Sequence, residues 1–291
     1  MSTPKTIAIT GANGFLGSHL VDHFVAKGWN VIALVREPQR FKPHSQVEYR
    51  AFEIGRPVDE RILDGADYLV HTAYVKQTAQ EQQALRLNTQ SAERLLAASR
   101  KAGLRKNVFV SSMSAHEAAE SVYGRQKLAV EYLFDTKKDI SLRPGLIIGN
   151  GGIVKQMVTF MRSKHIVPLV GGGRQPLQSI AVDDLVMCIE RALSTSAHGV
   201  LTVAHPDVFT YKTFYQTLSR VFSIKTIFIP VPLWLLLTVA RLIRIAHLPV
   251  GFTEENVLGL KQLRSVDTEH DLATLGVTIM PLAEALRHSG I

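Results

Sequence analysis

A doubly wound parallel α/β sheet, followed by a smaller and mostly helical C-terminal lobe, is the architecture this sequence predicts. Three observations predict it. Short β-branched runs alternate with longer amphipathic stretches through the first half of the 291 residues. A glycine-rich loop joins the first of those runs to the first amphipathic stretch. Beyond Pro144 the pattern changes to helices separated by glycine-punctuated loops.

Taken in order, the strands fall at Thr6–Thr10, Val31–Val35, Val47–Phe52, Tyr68–His71, Val108–Ser111 and Ile140–Arg143. Helices are expected over Phe15–Lys27, Glu81–Arg100 and Val122–Phe134. In the second of these, Leu85, Leu95 and Leu96 mix with Arg, Glu and Gln, as on a helix laid against a sheet. Right-handed crossovers make the strands parallel, cover both faces with helices, and leave ligand sites at the carboxyl ends. In the second half, GNGG at Gly149–Gly152 and GGGRQP at Gly171–Pro176 mark loops, and Ile227–Ile229 is a brief strand candidate. Residues 1–150 are therefore expected to form the cofactor-binding sheet domain. Residues 151–291 form the substrate lobe, with part of 175–205 returning to the sheet.

The composition narrows the function classes. A hydrophobic fraction of 46% against 20% charged residues is that of a globular chain with a sizeable core. The single cysteine, Cys188, excludes an intramolecular disulfide framework and fits a reducing compartment. MSTPKTIAITGANG runs straight into a strand pattern without the marks of a secretory signal, so a cytoplasmic location is expected. Net charge is +8, but Lys and Arg are scattered and form no stripe interleaved with aromatics. An anionic cofactor or small-molecule substrate is expected, and no nucleic acid. The apolar run within Val231–Gly251 is shorter than the ~20 residues that span a bilayer, and Arg241 and Arg244 interrupt it. It reads as a helix closing the core or a cleft; the alternative is a peripheral membrane contact with Trp234 at the boundary.

In IAITGANGFLGSHL, Gly11, Gly14 and Gly17 fit T-G-x-x-G-x-x-G between a strand and a helix. A turn without side chains lets backbone approach a pyrophosphate, and the helix start offers free N–H donors and a positive dipole. Gly17 would let that helix pack closely on the sheet. After the second strand, ALVREPQR places Arg36 where a preference for NAD calls for a carboxylate, with Arg40 and Lys42 close behind. A guanidinium there suits a 2′-phosphate, so NADP is expected in preference to NAD. His19 and His23 stand four apart on the first helix, but that segment supplies no further ligand, and no metal is expected. In SVYGRQK, Tyr123 and Lys127 stand one helical turn apart.

TGANGFLG, DYLVHTAY, Asn88 in LNTQSAERLLAAS, VFVSSMSAH, YGRQK, LRPGLIIGNGG and IAVDDLVMCIERAL follow one another in a single register. Together they resemble the short-chain dehydrogenase/reductase superfamily, in its extended or atypical epimerase/dehydratase-like branch, with a Rossmann fold. The resemblance implies a phosphate loop of Thr10, Gly11, Asn13, Gly14, Phe15, Leu16 and Gly17, with Arg36 on the adenosine 2′-phosphate. Thr72, Ala73 and Tyr74 would line the diphosphate and riboses, and Pro144 and Gly145 the nicotinamide. Glu53 stands near the family's adenine-binding aspartate, and Asp183 and Asp184 match an acidic pair that would cap a helix. The catalytic set would be Ser112, Tyr123 and Lys127, with Ser111 and Ser114 as rivals for the serine. In that scheme Lys127 lowers the phenol's pKa and holds the nicotinamide ribose, Ser112 binds the substrate oxygen, and Tyr123 is the general acid or base. What is implied is an NADP-dependent oxidoreductase or epimerase, monomeric or homodimeric, acting on a carbonyl or alcohol carbon. The rival is a non-catalytic NAD(P)H-binding sensor or assembly protein of the atypical group, whose C-terminal pattern FTEENVLGLKQLRSVDTEHDLATLGV resembles.

Overall fold

The computed structural model describes residues 4–75, 81–232, 234–235, 238 and 259–291. The first half runs β1 (Thr6–Thr10), α1 (Phe15–Ala26), β2 (Asn30–Val35), β3 (Val47–Ala51), β4 (Tyr68–His71), α2 (Glu81–Ala102), β5 (Lys106–Val110), α3 (Val122–Glu131) and β6 (Ile140–Pro144). Every strand and helix expected there forms, with ends shifted by a few residues. The longest shift is in α3, which stops at Glu131 rather than Phe134.

Seven strands make one parallel sheet in the order β11-β6-β5-β4-β1-β2-β3, where β11 is Gly199–Val203. The two-residue period of each strand sorts its side chains. Ile7, Ile9, Val31, Ala33, Val70 and Val108 face α1 and α5 (Val182–Ser194), packing with Leu20, Phe24, Leu185 and Ile189. Ala8, Ile32, Leu34 and Leu69 face the other way, onto Leu95 and Ala98 of α2. Phe109 packs with Leu96 of α2 and with Val130 and Phe134 at the end of α3. Runs apolar on both sides are what a sheet covered on both faces requires.

The second half holds more strands than its sequence pattern predicts. β7 (Leu146–Ile148) pairs with β10 (Ser179–Ala181), β9 (Pro176–Leu177) with β12 (Phe209–Thr210), and β8 (Ile166–Val170) with β13 (Ile227–Val231). These pieces of two to five residues, broken by Gly and Pro, are too short to show a period. Around them lie α4 (Gly152–Lys164), α6 (Tyr211–Val221), α7 (Glu269–Leu275) and α8 (Leu282–His288). Val154, Val158, Met161, Leu169, Phe214, Leu218 and Leu286 form this lobe's own core. Most of Val231–Gly251, including Arg241 and Arg244, lies outside the described residues; Trp234 is described and is exposed. Among the described residues no helix is long and apolar enough to cross a membrane.

Candidate active site

Strand order reverses at β1: β2 and β3 lie on one side of it, β4, β5 and β6 on the other. Such a reversal opens a crevice at the carboxyl ends of the two strands beside it. There Thr10 stitches β1 to β4. Its Oγ1 accepts from the backbone N–H groups of Thr72 at 3.0 Å and Ala73 at 3.1 Å, while Thr72 Oγ1 donates to the Thr10 carbonyl at 2.6 Å. With both lone pairs of its hydroxyl in use, Thr10 donates its own proton to His71 Nδ1, 2.8 Å away. His71 is therefore neutral and protonated on Nε2. Burial, helped by the nearby Lys127 ammonium, holds its pKa down to about 3. It is a strand latch rather than a base.

Gly11 takes φ +65°, and its N–H donates to the Leu34 carbonyl at 3.1 Å. Gly14 N–H closes the turn onto the Gly11 carbonyl at 2.8 Å. A Cβ on Gly17 would overlap the Gly11 carbonyl and crowd Ala12 Cα. The close approach is thus between α1 and its own loop backbone, and not between α1 and the sheet. Asn13 and Gly14 are exposed, Leu16 is buried, and α1 has no side-chain cap. Its positive end therefore lies bare at the crevice. This cradle fits the pyrophosphate of a dinucleotide, because every position that a side chain would fill is glycine. The Phe15 ring turns away from the cradle and lies against Gly149, Gly151 and Gly152 of the small lobe.

Farther along the crevice, Arg36 is exposed immediately beyond β2. Glu53, beyond β3, is also exposed, and its carboxylate faces Arg56 at 3.4 Å.

Ser112, Tyr123 and Lys127 are brought together. Ser121 caps α3 by accepting from Gly124 N–H at 3.1 Å, which starts the helix at Val122, one residue before Tyr123. Gly124 is fitted against the Ser114 carbonyl, where a Cβ would overlap it. Tyr123 is hydrogen-bonded to the Ser112 side chain. The three serines separate: Ser111 is buried and bonds Glu131, while Ser112 Oγ accepts the Ser114 N–H at 3.1 Å. Lys127 is buried, with its ammonium donating to the Val110 carbonyl at 2.8 Å and lying 6.0 Å from the Tyr123 ring centre. Burial lowers its pKa to about 7 against the upward pull of Glu131. The phenol behaves differently from the sequence expectation. Burial raises the Tyr123 pKa against the Ser112 hydrogen bond, so the net shift is upward rather than downward.

Several neighbours complete the cluster: Tyr74, Asn88, Pro144 and Gly145 come from motifs already read in the sequence, whereas Gln126, Glu131 and Gln262 have no role assigned there. Tyr74 stands edge-on to Tyr123, with ring centres 5.3 Å apart, and lies 5.0 Å from the Lys127 ammonium. Its hydroxyl donates to Gln126 Oε1 at 2.5 Å, and Asn88 donates to the same oxygen at 3.4 Å. Gln126 Nε2 is buried and has no hydrogen-bond partner among the described residues. Glu131, one turn beyond Lys127, is buried in a fork with Arg143 at 2.5–3.1 Å. The Pro144 carbonyl accepts Met113 N–H at 3.2 Å. Gly145 is pinned between Gln178 and Ala204, where a Cβ would meet the Gln178 carbonyl at 2.6 Å. Its lack of a side chain is thus explained by packing between the lobes. From the C-terminal segment, Gln262 reaches back to the Ser112–Tyr123 connection, donating to the Ala118 carbonyl at 2.9 Å and accepting Ser121 N–H at 3.2 Å.

Asp183 and Asp184 sit in the first turn of α5 but make no side-chain cap. Asp184 instead accepts Met280 N–H at 2.8 Å and ties the chain end to the helix. His23 meets Glu190 at 2.6 Å and His19 meets Asp183 at 3.7 Å, so the carboxylates facing these two histidines come from α5. Among the described residues no three such groups converge to hold a metal.

The fold agrees with comparisons to known proteins. The model of the NAD dependent epimerase/dehydratase family matches residues 7–204, and the chain belongs to that family. A ceramide reductase of Caulobacter vibrioides is 34% identical over 150 residues, half of this chain. The chain spans less than two thirds of the first relatives it matches, 47% for that reductase. An Arabidopsis thaliana mitochondrial protein, NADH dehydrogenase [ubiquinone] 1 alpha subcomplex subunit 9, is 23% identical over 90% of this chain and 69% of its own length. Among solved structures, a Bacillus cereus UDP-glucuronic acid 4-epimerase in complex with NAD superposes with a TM-score of 0.76. It covers 98% of this chain and 97% of its own at 17% identity, a likeness of fold.

Proposed function

We propose that this chain is an NADP-dependent oxidoreductase that reduces a carbonyl, or oxidises the matching alcohol, with Tyr123 moving the proton. Its substrate would be a small organic molecule of the sugar-nucleotide, sterol-like or aromatic-ketone class. The observation that carries the reading is the cluster of Ser112, Tyr123 and Lys127 beside the glycine cradle. Gly11, Gly14 and the start of α1 would hold a nicotinamide dinucleotide, which would supply or accept the hydride. Arg36 favours the 2′-phosphate form on charge grounds, because the first residue after β2 is a cation rather than a carboxylate, and Glu37 behind it is paired with Arg40.

The chain's own groups divide the rest of the work. Ser112 hydrogen-bonds the substrate oxygen and stabilises charge developing on it. Tyr123, held protonated at neutral pH by burial, donates its hydroxyl proton to that oxygen. This protonation state favours the reductive direction. Lys127 keeps a positive charge below about pH 7, close enough to stabilise the phenolate left behind.

Tyr123→Phe tests the reading. NADPH binding should stay within about twofold while kcat/KM for carbonyl reduction falls roughly 10²–10⁴-fold. Undiminished turnover would remove Tyr123 from the mechanism. A second reading, a cofactor-binding assembly subunit, draws on the alignment to the Arabidopsis subunit, which runs along most of the chain. NADPH bound but never consumed across a carbonyl panel would favour it.

A further inference from the structure

Charge in this protein is distributed by the absence of acids. Residues 151–182 and 208–253 contain nine Lys and Arg and no Asp or Glu. The remaining 24 Lys and Arg are matched by all 25 Asp and Glu, so these two segments account for the whole net charge of +8. Their described parts are neighbours in space, because they build α4, β8, α6 and β13 of the small lobe around one core. All seven of their described cations are exposed. The adjoining α8 adds Glu284 and Arg287, which cancel.

On the same lobe β8 and β13 form a two-stranded parallel sheet with Ile227 opposite Ile166 and Ile229 opposite Pro168. Those four side chains alternate with buried or half-buried ones, so they share the outer face. Ile227 is 64% exposed, Ile229 44% and Ile166 41%. Trp234 and Leu235 are exposed just past the end of β13. Lys164 and Lys225 stand at the amino ends of the two strands, where Ile227 N–H donates to the His165 carbonyl.

We propose that this face of the small lobe docks on an anionic lipid bilayer, with the isoleucines and Trp234 at the headgroup boundary and the cations on lipid phosphates. A surface without carboxylates is complementary to a continuous anionic surface, and each cation near such a membrane strengthens attachment. Nucleic acid would use the charge but would leave the aliphatic face without a partner, whereas a bilayer interface takes both. Apart from Trp234 and Leu235, the face lies on described residues upstream of Val231–Gly251, and it does not depend on catalysis.

Co-sedimentation of the full chain with vesicles tests it. At low salt the protein should pellet with phosphatidylcholine–phosphatidylglycerol vesicles and stay in solution with phosphatidylcholine alone. Lys164→Glu with Lys225→Glu should weaken partitioning by about tenfold or more, given roughly fivefold per cation. Ile227→Ser with Ile229→Ser should weaken it with the charge intact. Arg100→Glu with Lys137→Glu, the same charge change on the cofactor-binding half, should leave it within about twofold. Unchanged NADPH binding and thermal midpoints in each variant verify folding. No pelleting on anionic vesicles overturns the proposal, as does equal loss from both charge pairs. So does tight binding to a DNA oligonucleotide that the isoleucine variant leaves unaltered while its vesicle binding also stays unaltered.

Discussion

Arg36 shows how far a single side chain can be read from its place. It follows β2 directly, is exposed, and stands where the second strand's carboxyl end meets the crevice. Glu53, the nearest carboxylate of the sequence scheme, turns to Arg56. Arg36→Asp should raise the Kd for NADPH by about tenfold or more without weakening NADH binding, since only the former carries a 2′-phosphate to pair. Parallel fluorescence titrations read both; an equal effect on the two cofactors would remove Arg36 from the selection. Tyr74 marks the opposite case. The DYLVHTAY motif implies a place beside the cofactor, but nothing in it announces that the ring will lie against Tyr123 and Lys127, or that its hydroxyl will meet Gln126.

At the scale of elements, the β1–α1 junction carries the tightest steric demand at the site. Gly17 lies in the first turn of α1 with the Gly11 carbonyl where a Cβ would stand, and the obstruction is backbone on both sides. Gly17→Ala must push the helix start off its loop. It should cost roughly 1–3 kcal/mol or more in urea unfolding and abolish dinucleotide binding, although alanine is the better helix former. A stable, cofactor-binding alanine variant would show that the junction yields. The glycine spacing made this junction legible in sequence. α3 was equally legible in its start, which Ser121 caps, but its end was not: the apolar pattern continues to Phe134, whereas the helix stops at Glu131.

For the molecule as a whole, two buried bases link stability to pH. His71 has a folded pKa of about 3 and Lys127 one of about 7, each below its ordinary value. In both cases the unfolded chain binds a proton that the folded one does not, so stability rises with pH through about 3–6.5 and again above about 7. Each group contributes at most about 1.4 kcal/mol per pH unit. Cys188, buried and pushed up to about 12, acts in the opposite sense above about pH 9, where its unfolded thiol ionises first. The urea midpoint of cofactor-free protein should therefore climb from about pH 7 to 8.5, and Lys127→Met should flatten that climb. A flat profile in the parent would mean that Lys127 keeps its charge when buried. The same whole-molecule view explains what the sequence concealed. The parallel sheet and its crevice follow from periodicity, strand order and glycine spacing, all local signals. The small lobe's short strands join residues about 30 to 60 positions apart, and the Gln262 latch and the Asp184 tie to Met280 join residues about a hundred or more apart; such pairings leave no local trace.

The ring of Phe15 gives the two halves of the chain a shared history. It belongs to the phosphate loop's helix, yet its shape is recorded in Gly149, Gly151 and Gly152 across the lobe boundary. A methyl group added at Gly151 would strike the ring, and a smaller residue at position 15 would leave a hollow over three glycines. Neither lobe can therefore drift alone at this seam: a change on one side becomes tolerable only after its counterpart on the other. In a lineage that remodels the small lobe for new substrates, the GNGG turn is the part that stays answerable to the dinucleotide cradle.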